Sequence, residues 1–336
     1  MSLSNAVRKV RHGRSRLAYF AGHAARLCIP RFVLAERRRA LFDSLSADER
    51  RTVEARAQYY NRCDSSFEVA PHFKPLRAWS IPGQHNYHLD LLDQLRWFPD
   101  EARVAYQFGD IGSVQNAPTT PTIVKARPLA LETGACVLLK LNHVRHFHFV
   151  RDRRAFSDKR DRVVWRGHAG RDHRVRFLER FFGHPLCDVG QVGRRGAQLG
   201  FSKPFLSVRE QLENKFVLSI EGNDVATNLK WILSSNSLCF MRKPRFETWF
   251  MEGTLRPEVH YVGLEDDHAD LEEKALYYAR RPEAAERILA NAQRFVDRFR
   301  NPVLERCTSL LVLQRYLECS GQATRSESAL ARGSFT

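Results

Sequence analysis

Arginines beside a glycine are the first residues of this chain that could do chemistry. In WRGHAGRDHR, Arg166, Arg171 and Arg174 lie within seven positions of Gly167, directly after the apolar run VVW. Guanidinium groups at a strand-to-helix turn can donate paired hydrogen bonds to diphosphate oxygens. We therefore predict a cradle for a phosphate-bearing ligand that includes Arg166 and Arg174. The other arginines of the stretch are predicted to face solvent: Arg160, Arg162 and Arg176.

A second candidate stretch is KFVLSIEGNDVATNLKWILSSN, in which an apolar strand leads into Glu221, Gly222, Asn223 and Asp224. We predict that a helix follows from about Val225, so that unpaired backbone N–H groups and the positive helix end could bind a diphosphate. An ordinary strand-to-helix turn explains the same residues, with Gly222 chosen for backbone freedom and Asp224 for capping. Both interpretations remain open at this point.

Asp110 is a carboxylate at a predicted strand end. It ends the predicted strand VAYQFGD and precedes a glycine-containing loop, a position from which a general base could reach a substrate hydroxyl. From the residues alone, an aspartate that merely forms the turn before Ile-Gly is the favoured interpretation.

Histidines offer weaker candidates. His143, His146 and His148 could share a strand face, but no Cys or carboxylate lies nearby at ligand spacing, so we predict no metal site. His85 and His88, at a loop-to-helix junction, are candidate acceptor-site residues.

The elements that must position these residues alternate between helix and strand. In the first half, a helix over residues 45–60 and a second over LDLLDQLRWF precede the predicted strands VAYQFGD, PTIVKARP and one or two within GACVLLKLNHVRHFHFV. In the second half, the strands DRVVWRG, PLCDVG, KFVLSIEG, SLCFM and EVHYVGL alternate with helices, among them FETWFMEG and a closing pair divided at Arg281-Pro282. This order predicts an α/β fold with parallel sheets and ligands at the carboxyl ends of the strands.

Several of these segments, in the same order, resemble glycosyltransferase family 90. KFVLSIEG, SSNSLCFM, LRPEVHYVGL and DLEEKALYYARRPEAAERI resemble its donor-binding half, and VVWRGHAGRDHRVRFL resembles its aromatic-Arg-Gly turn. VAYQFGDIGSV followed by PTIVKARP resembles the segment that carries the proposed catalytic Asp. The family includes protein O-glucosyltransferases, CAP10-like fungal capsule-associated transferases and bacterial lipopolysaccharide-core enzymes. The likeness spans about residues 100–300.

The resemblance implies a GT-B-like enzyme with two Rossmann-like lobes facing a central cleft, which transfers sugar from a UDP-sugar with inversion and without a metal or other cofactor. Asp110 would be the catalytic base. Arg174 matches the family's phosphate-contacting Arg, although Arg171 is close enough to be the equivalent. The implied donor-binding residues are Trp165, Arg166, Gly167, His168, Arg171, Arg174, Glu221, Gly222, Asn223, Asp224, Asn228 and Lys230.

One departure from the family concerns phosphate binding. Its second phosphate-contacting Arg falls on Asn228, and Ala226 stands where Ser is common. Because an amide cannot neutralise phosphate charge, we expect Lys230 or Arg242 to supply it.

Charge is concentrated at the beginning of the chain. Residues 1–40 contain ten Arg or Lys and one Glu, and so contribute +9 of the net +16. Apolar flanks in LAYFAGHAARLCI and FVLAERRRALF predict an arm that lies on an anionic inner-membrane surface, beside an anionic glycolipid acceptor. An arm that packs on its own domain is equally compatible. A basic nucleic-acid-binding protein is the rival function, although no recognition motif for specific nucleic-acid binding is present.

Composition and length complete the sequence-based expectations. With 43% hydrophobic residues and seven Cys without a CxxC pair, the chain is predicted to be a folded cytoplasmic protein, peripheral at the inner membrane. Five segments are expected: a basic amphipathic arm (1–44), an acceptor and catalytic lobe (45–155), a nucleotide-sugar lobe (156–300), a helix that returns to the first lobe (301–320) and a disordered tail (321–336).

Overall fold

A computed structural model of the chain describes residues 18–79, 86–132, 134–193 and 197–323. The chain divides into two compact units, the first formed by residues 1–127, 131–145 and 301–336 and the second by residues 128–130 and 146–300. Predictions made for residues 1–17, for His85 and for the tail after residue 323 fall outside the described residues.

The first unit is largely helical. Its helices are α1 (18–27), α2 (Arg31–Asp43), α3 (Ala47–Tyr60), α4 (Asn86–Leu95) and α11 (Pro302–Cys319), with the short α5 (His143–His146) at its end. Helix α3 begins as predicted, because Ser46 and Glu49 exchange side-chain-to-backbone hydrogen bonds in a capping box. Helix α11 packs on α2, α3 and α4.

The described part of the basic arm packs on this unit. The Tyr19 hydroxyl donates to the buried Asp90 carboxylate at 2.7 Å, and Arg26 pairs with Asp93 at 2.9 Å. Phe32, at the first turn of α2, is 69% exposed.

Three parallel strands form the sheet of the first unit. They are β1 (Tyr106–Gln107), β2 (Thr122–Val124) and β4 (Cys136–Leu138), in the order β1-β2-β4. The short strand β3 (Ala126–Pro128) lies where the chain passes from the first unit to the second. Strands β2 and β4 are fully buried, while β1 is an edge strand and half-buried.

The second unit is built on a parallel sheet of five strands. They are β5 (Arg160–Gly167), β6 (Cys187–Gln191), β7 (Asn214–Leu218), β8 (Leu238–Arg242) and β10 (Val262–Leu264). Their order is β10-β8-β7-β5-β6, and each neighbouring pair is parallel. The predicted α/β fold with parallel sheets is therefore confirmed.

Helices flank this sheet and bury its apolar side chains. They are α6 (Asp172–Phe181), α7 (Val208–Gln211), α8 (Leu229–Leu233), α9 (Leu271–Ala279) and α10 (Pro282–Asp297). Trp165, Phe177, Phe216 and Phe240 are at most 2% exposed and lie in one continuous core. The predicted break at Arg281-Pro282 separates α9 from α10.

The helix predicted from about Val225 begins later than expected. Residues 221–228 form a loop, and α8 starts at Leu229 with Asn228 rather than Asp224 at the capping position. The Asn228 side chain donates to the carbonyl of Leu218 at 2.8 Å and accepts from Ser219 at 3.2 Å, which holds the chain against the end of β7 instead of in a helix.

Two further predictions of secondary structure are wrong. FETWFMEG is not a helix, because Phe246–Thr248 forms strand β9 and Met251 adopts a φ of 56°, which a right-handed helix cannot contain. The strand face suggested for His143, His146 and His148 does not form, because β4 ends at Leu138, Asn142 has a φ of 53°, and His143 and His146 lie on helix α5.

Within the described ranges, no helix is long and apolar enough to cross a membrane.

Candidate functional site

Strands β5 and β7 define the switch point of the five-stranded sheet. From β5 the chain moves outward to β6, whereas β7, β8 and β10 follow on the other side. The loops after β5 and β7 therefore diverge and leave a crevice at the carboxyl ends of these strands, which is where open α/β sheets bind ligands. Arg171, Arg174 and the stretch 221–224 all lie at this crevice.

Arg174 fastens the two loops together. Its guanidinium donates to the carbonyls of His168, Ile220 and Glu221 at 2.6–3.0 Å, and it lies over the ring of Trp165 at 5.6 Å. Burial, together with the neighbouring charge of Arg171, lowers the pKa of Arg174 to about 10. Arg174 is thus a half-buried cation with carbonyl partners and no carboxylate partner among the bonds of the described residues.

Arg171 lies nearer to solvent. It is the exposed residue that precedes α6, and its Nε donates to the side chain of Asn223 at 2.6 Å. Asn223 is exposed as well. This bond spans the crevice from the β5 loop to the β7 loop, so the two predicted stretches meet in the folded chain.

Glu221 joins the β7 loop to the loop after β8. Its carboxylate accepts from the backbone N–H groups of Arg245 at 2.9 Å and Phe246 at 3.4 Å, and its carbonyl accepts from His173 at 2.8 Å. Burial raises the pKa of Glu221, although these N–H groups and the nearby arginines oppose the increase. At Gly222, an added Cβ would lie 3.3 Å from Nη2 of Arg174, so a side chain there would crowd the guanidinium.

A cavity of about 700 Å³ opens beside this crevice, and five arginines belong to its lining. Its charged lining comes from α6 and the residue before it, from the end of β8 and the loop that follows, and from the loop after β10. The cations are Arg171, Arg176, Arg180, Arg242 and Arg245, and the acids are Asp172, Asp266 and Asp267.

The acids offset only part of this positive charge. Asp266 lies 3.1 Å from Arg245 and 3.7 Å from Arg242, and Asp267 lies 3.1 Å from Arg180. Burial lowers the pKa of Arg242, and the neighbouring Arg245 lowers it further. An anion in the cavity would relieve this repulsion, because opposite charges favour the ionised form of each arginine.

Four other predicted donor-site residues, Trp165 to His168, do not line the cavity. The Arg166 side chain is 4% exposed and bonded to Asp188 and to the carbonyl of Pro204 at 2.8 Å each. Trp165 is 2% exposed in the core, edge-on to Phe177. Gly167 ends β5, and His168 is exposed.

Lys230 lies in the interior of the second unit. It is 0% exposed and pairs with Glu252, itself 1% exposed, at 2.6 Å. Its ammonium group also lies 5.3 Å from the ring of Phe250. Of the two cations expected to replace the family's second Arg, only Arg242 lines the cavity.

Three arginines of this lining were not predicted from the sequence as site residues. Arg180 and Arg245 were not singled out, and Arg176 was expected only to face solvent. Their position in the chain could have indicated these residues. Arg242 ends β8 and residues 266–268 follow β10, so both lie at the carboxyl edge of a parallel sheet.

Asp110 follows β1 in the first unit and pairs with a buried lysine. Nζ of Lys125, a side chain 2% exposed, lies 2.5 Å from Oδ1 of Asp110, whose side chain is 29% exposed. Gly109 has a φ of 106°, a conformation that other residues rarely adopt, and it turns the chain just before the carboxylate. The geometry gives a fixed carboxylate that solvent can reach.

His268, which also lines the cavity, makes stability depend on pH. Burial lowers its pKa to about 4, aided by Arg242 and opposed by Asp267. An unfolded histidine titrates near about 6.5, so between these values the unfolded chain binds more protons. The contribution of His268 is complete above pH 6.5 and is lost as the pH falls towards 4.

We therefore expect that, as the pH falls from 7 to 5, protonation linked to His268 lowers the free energy of unfolding by about 2 kcal/mol. Asparagine tolerates the φ of 62° at this position. In His268→Asn, the free energy of unfolding should therefore fall less over the same pH range, by the contribution that His268 makes in the wild type. Urea unfolding of both proteins at the two pH values measures the difference, and equal losses would contradict the assignment.

No group of three His, Cys, Asp or Glu side chains that could hold a metal ion occurs in the part of the chain that the structure describes.

Comparison with known proteins places these features in one family. The family model described as glycosyl transferase family 90 matches residues 142–316. The O-glucosyltransferase LpsA of Dichelobacter nodosus is 48% identical over 280 residues, which cover 82% of this chain and 86% of that protein. Protein O-glucosyltransferase 3 of Rattus norvegicus and of Homo sapiens is 26% and 25% identical over 171 residues, which cover 49% of this chain and 33% of each relative.

Proposed function

This chain belongs to glycosyl transferase family 90 and is a glycosyltransferase, and from that premise we propose that it moves a hexose or pentose from a UDP-sugar to a hydroxyl of a lipopolysaccharide-core or related surface glycan. The proposed transfer inverts the anomeric carbon and needs no metal ion. As in GT-B enzymes, the second unit is proposed to bind the donor. The observation that carries it is the cavity lined by five arginines beside the switch point of the second unit's sheet.

Donor binding is assigned to the carboxyl edge of that sheet. Arg171, Arg242 and Arg245 bind the diphosphate, the loop 221–224 contributes backbone groups, and Arg174 holds the loops in place. Arg242 and Arg245 thereby provide the charge that Asn228 cannot. Arg166 and Lys230 support the fold, because their cationic groups are committed to Asp188 and Glu252.

Asp110 is the proposed base. Its carboxylate takes the proton of the acceptor hydroxyl while the acceptor oxygen forms a bond to the anomeric carbon from the side opposite the leaving group. The bond between that carbon and the diphosphate oxygen breaks, and its electron pair leaves with UDP. The arginines stabilise the negative charge that develops on the diphosphate, and Lys125 keeps the carboxylate in position.

Arg171→Ala and Arg245→Ala are each expected to weaken UDP binding by about 1.5–3 kcal/mol, because each removes a charge-assisted hydrogen bond. Isothermal titration with UDP measures the loss. Arg160→Ala is the matched control, since Arg160 pairs with Glu213 at the opposite edge of the same sheet. Wild-type affinity in Arg171→Ala together with weak binding in Arg174→Ala would reverse the roles of these two arginines.

The arm is proposed to hold the enzyme at an anionic leaflet, near a lipid-linked acceptor. Residues 1–17 carry five of the ten basic residues of the arm, and each basic residue near such a surface is worth about 1 kcal/mol. Deleting residues 1–17 should lower partitioning onto phosphatidylglycerol vesicles at least about tenfold, as measured by co-sedimentation. Unchanged partitioning would refute the assignment. The deletion spares Tyr19 and Arg26, which anchor the rest of the arm.

The comparisons lend no support to the nucleic-acid-binding alternative. In this proposal, the positive charge serves to bind an anionic donor and an anionic membrane surface.

A further inference from the structure

A cluster of aromatic rings lies beside Asp110 in the first unit. Tyr106 lies on β1 and Phe108 follows that strand, and their rings stack at 4.5 Å with an angle of 25°. Trp79 lies 5.4 Å from Tyr106, and Tyr87 lies 5.6 Å from Phe108. We call these four residues, with Phe73 and His88, the aromatic cluster.

The cluster is not part of the buried core. All six residues are half-buried, whereas the strands β2 and β4 of the same sheet are fully buried. A single exposed ring is ordinary, but a contiguous group of partly exposed rings marks a binding surface. The indole N–H of Trp79 already donates to the carbonyl of Lys74 at 3.1 Å, so further contacts of this side chain are made by its ring.

Polar groups border the rings and restrict what could bind. The cluster carries the hydroxyls of Tyr87 and Tyr106 and the imidazole of His88, and Asp110 follows Phe108 after one glycine. An alkyl chain on this surface would displace water from the Asp110 carboxylate, which is 29% exposed, without offering it a hydrogen bond, and this is costly. A pyranose has a face of C–H groups for the rings and hydroxyls for the polar border.

We propose that the aromatic cluster binds a pyranose ring of the acceptor glycan and brings one of its hydroxyls to Asp110. The electron-rich faces of aromatic rings attract C–H groups, and sugar-sized sites combine such apolar surface with a few fixed polar groups. The inference rests on the proposed transfer to a glycan, and it adds that the acceptor is held through a sugar ring rather than through its lipid or a peptide.

Saturation-transfer NMR with octyl β-D-glucopyranoside and octyl β-D-galactopyranoside, below their micelle concentrations, tests this directly. Each probe carries a pyranose and an alkyl chain on one molecule. With the full-length protein, the ring protons of at least one probe should receive the strongest saturation. Phe108→Leu keeps an apolar side chain without the aromatic face and should reduce that signal about threefold or more.

Two controls accompany this variant. Phe108→Tyr keeps the ring and should retain the signal. Phe205→Leu changes a 38% exposed phenylalanine of the second unit, and this variant should also retain the ring-proton signal. Ring signals that are equal in Phe108→Leu and in the wild type, saturation confined to the alkyl chain, or no saturation of either probe would each overturn the proposal. Titration of the wild type with UDP is run in parallel, because failure to bind UDP counts against the donor site and not against the aromatic cluster.

Discussion

Asp110→Asn is expected to lower the rate of sugar transfer about 10²–10⁴-fold, the usual contribution of a positioned general base. The amide has the shape of the carboxylate but cannot accept the acceptor's proton. UDP affinity should remain near the wild-type value, since the proposed diphosphate ligands all belong to the second unit. Transfer to a core-oligosaccharide acceptor and titration with UDP measure the two quantities separately.

Asp161→Asn is the matched control for this prediction. Asp161 is likewise an accessible aspartate paired with a largely buried lysine, Lys215, at 2.6 Å, but it lies on β5, before the switch-point loop. It should transfer sugar at the wild-type rate. If Asp110→Asn turned over as fast as Asp161→Asn, Asp110 would not be the base.

Lys230→Met is expected to lower the free energy of unfolding by about 3–5 kcal/mol, because it leaves the carboxylate of Glu252 buried without its counter-ion. Urea unfolding measures the loss. Part of it should be recovered by also changing Glu252→Gln, since the second change removes the uncompensated charge.

Arg77→Met provides the surface comparison. Arg77 pairs with Glu101 at a similar distance, 2.6 Å, but both side chains are more than 60% exposed. Its loss should cost less than about 1 kcal/mol. An equally small cost for Lys230→Met would contradict the structural role given to Lys230 and restore it as a candidate phosphate ligand.

The sequence was most informative about strands. SLCFM, PLCDVG and KFVLSIEG are short apolar runs bounded by polar or glycine residues, and each forms a strand of the five-stranded sheet. The family resemblance, carried by ordered segments, is confirmed by the match over residues 142–316. Both results depend on local patterns, which a sequence displays directly.

Helix boundaries were less predictable, because hydrogen bonds between side chains and the backbone replaced the expected helical bonds. DVATNLKWIL has helical spacing, but Asn228 bonds to the carbonyl of Leu218, and only Leu229–Leu233 is helical. FETWF could form a helix by composition, yet Glu252 accepts from the backbone of Thr248 at 2.6 Å and the chain then turns through Met251.

The candidate site was predictable only in part for a similar reason. Arg171 and the loop 221–224 flank glycines after apolar strands and could be identified locally. Arg242 and Arg245 could not be identified in this way, because the residues that complete the cavity with them lie after β10 and on α6. These segments are far apart in the sequence and meet only when the parallel strands pair. Lys230 suits a phosphate ligand by type, and only its partner, 22 positions further along, shows it to be interior.

A crystal structure of the full chain with UDP tests the central claim most directly. We predict that the diphosphate lies at the carboxyl edge of the five-stranded sheet, with oxygens about 2.7–3.0 Å from the guanidinium groups of Arg171 and of Arg242 or Arg245. UDP bound elsewhere on the protein, or no bound nucleotide at saturating concentration, would contradict the account.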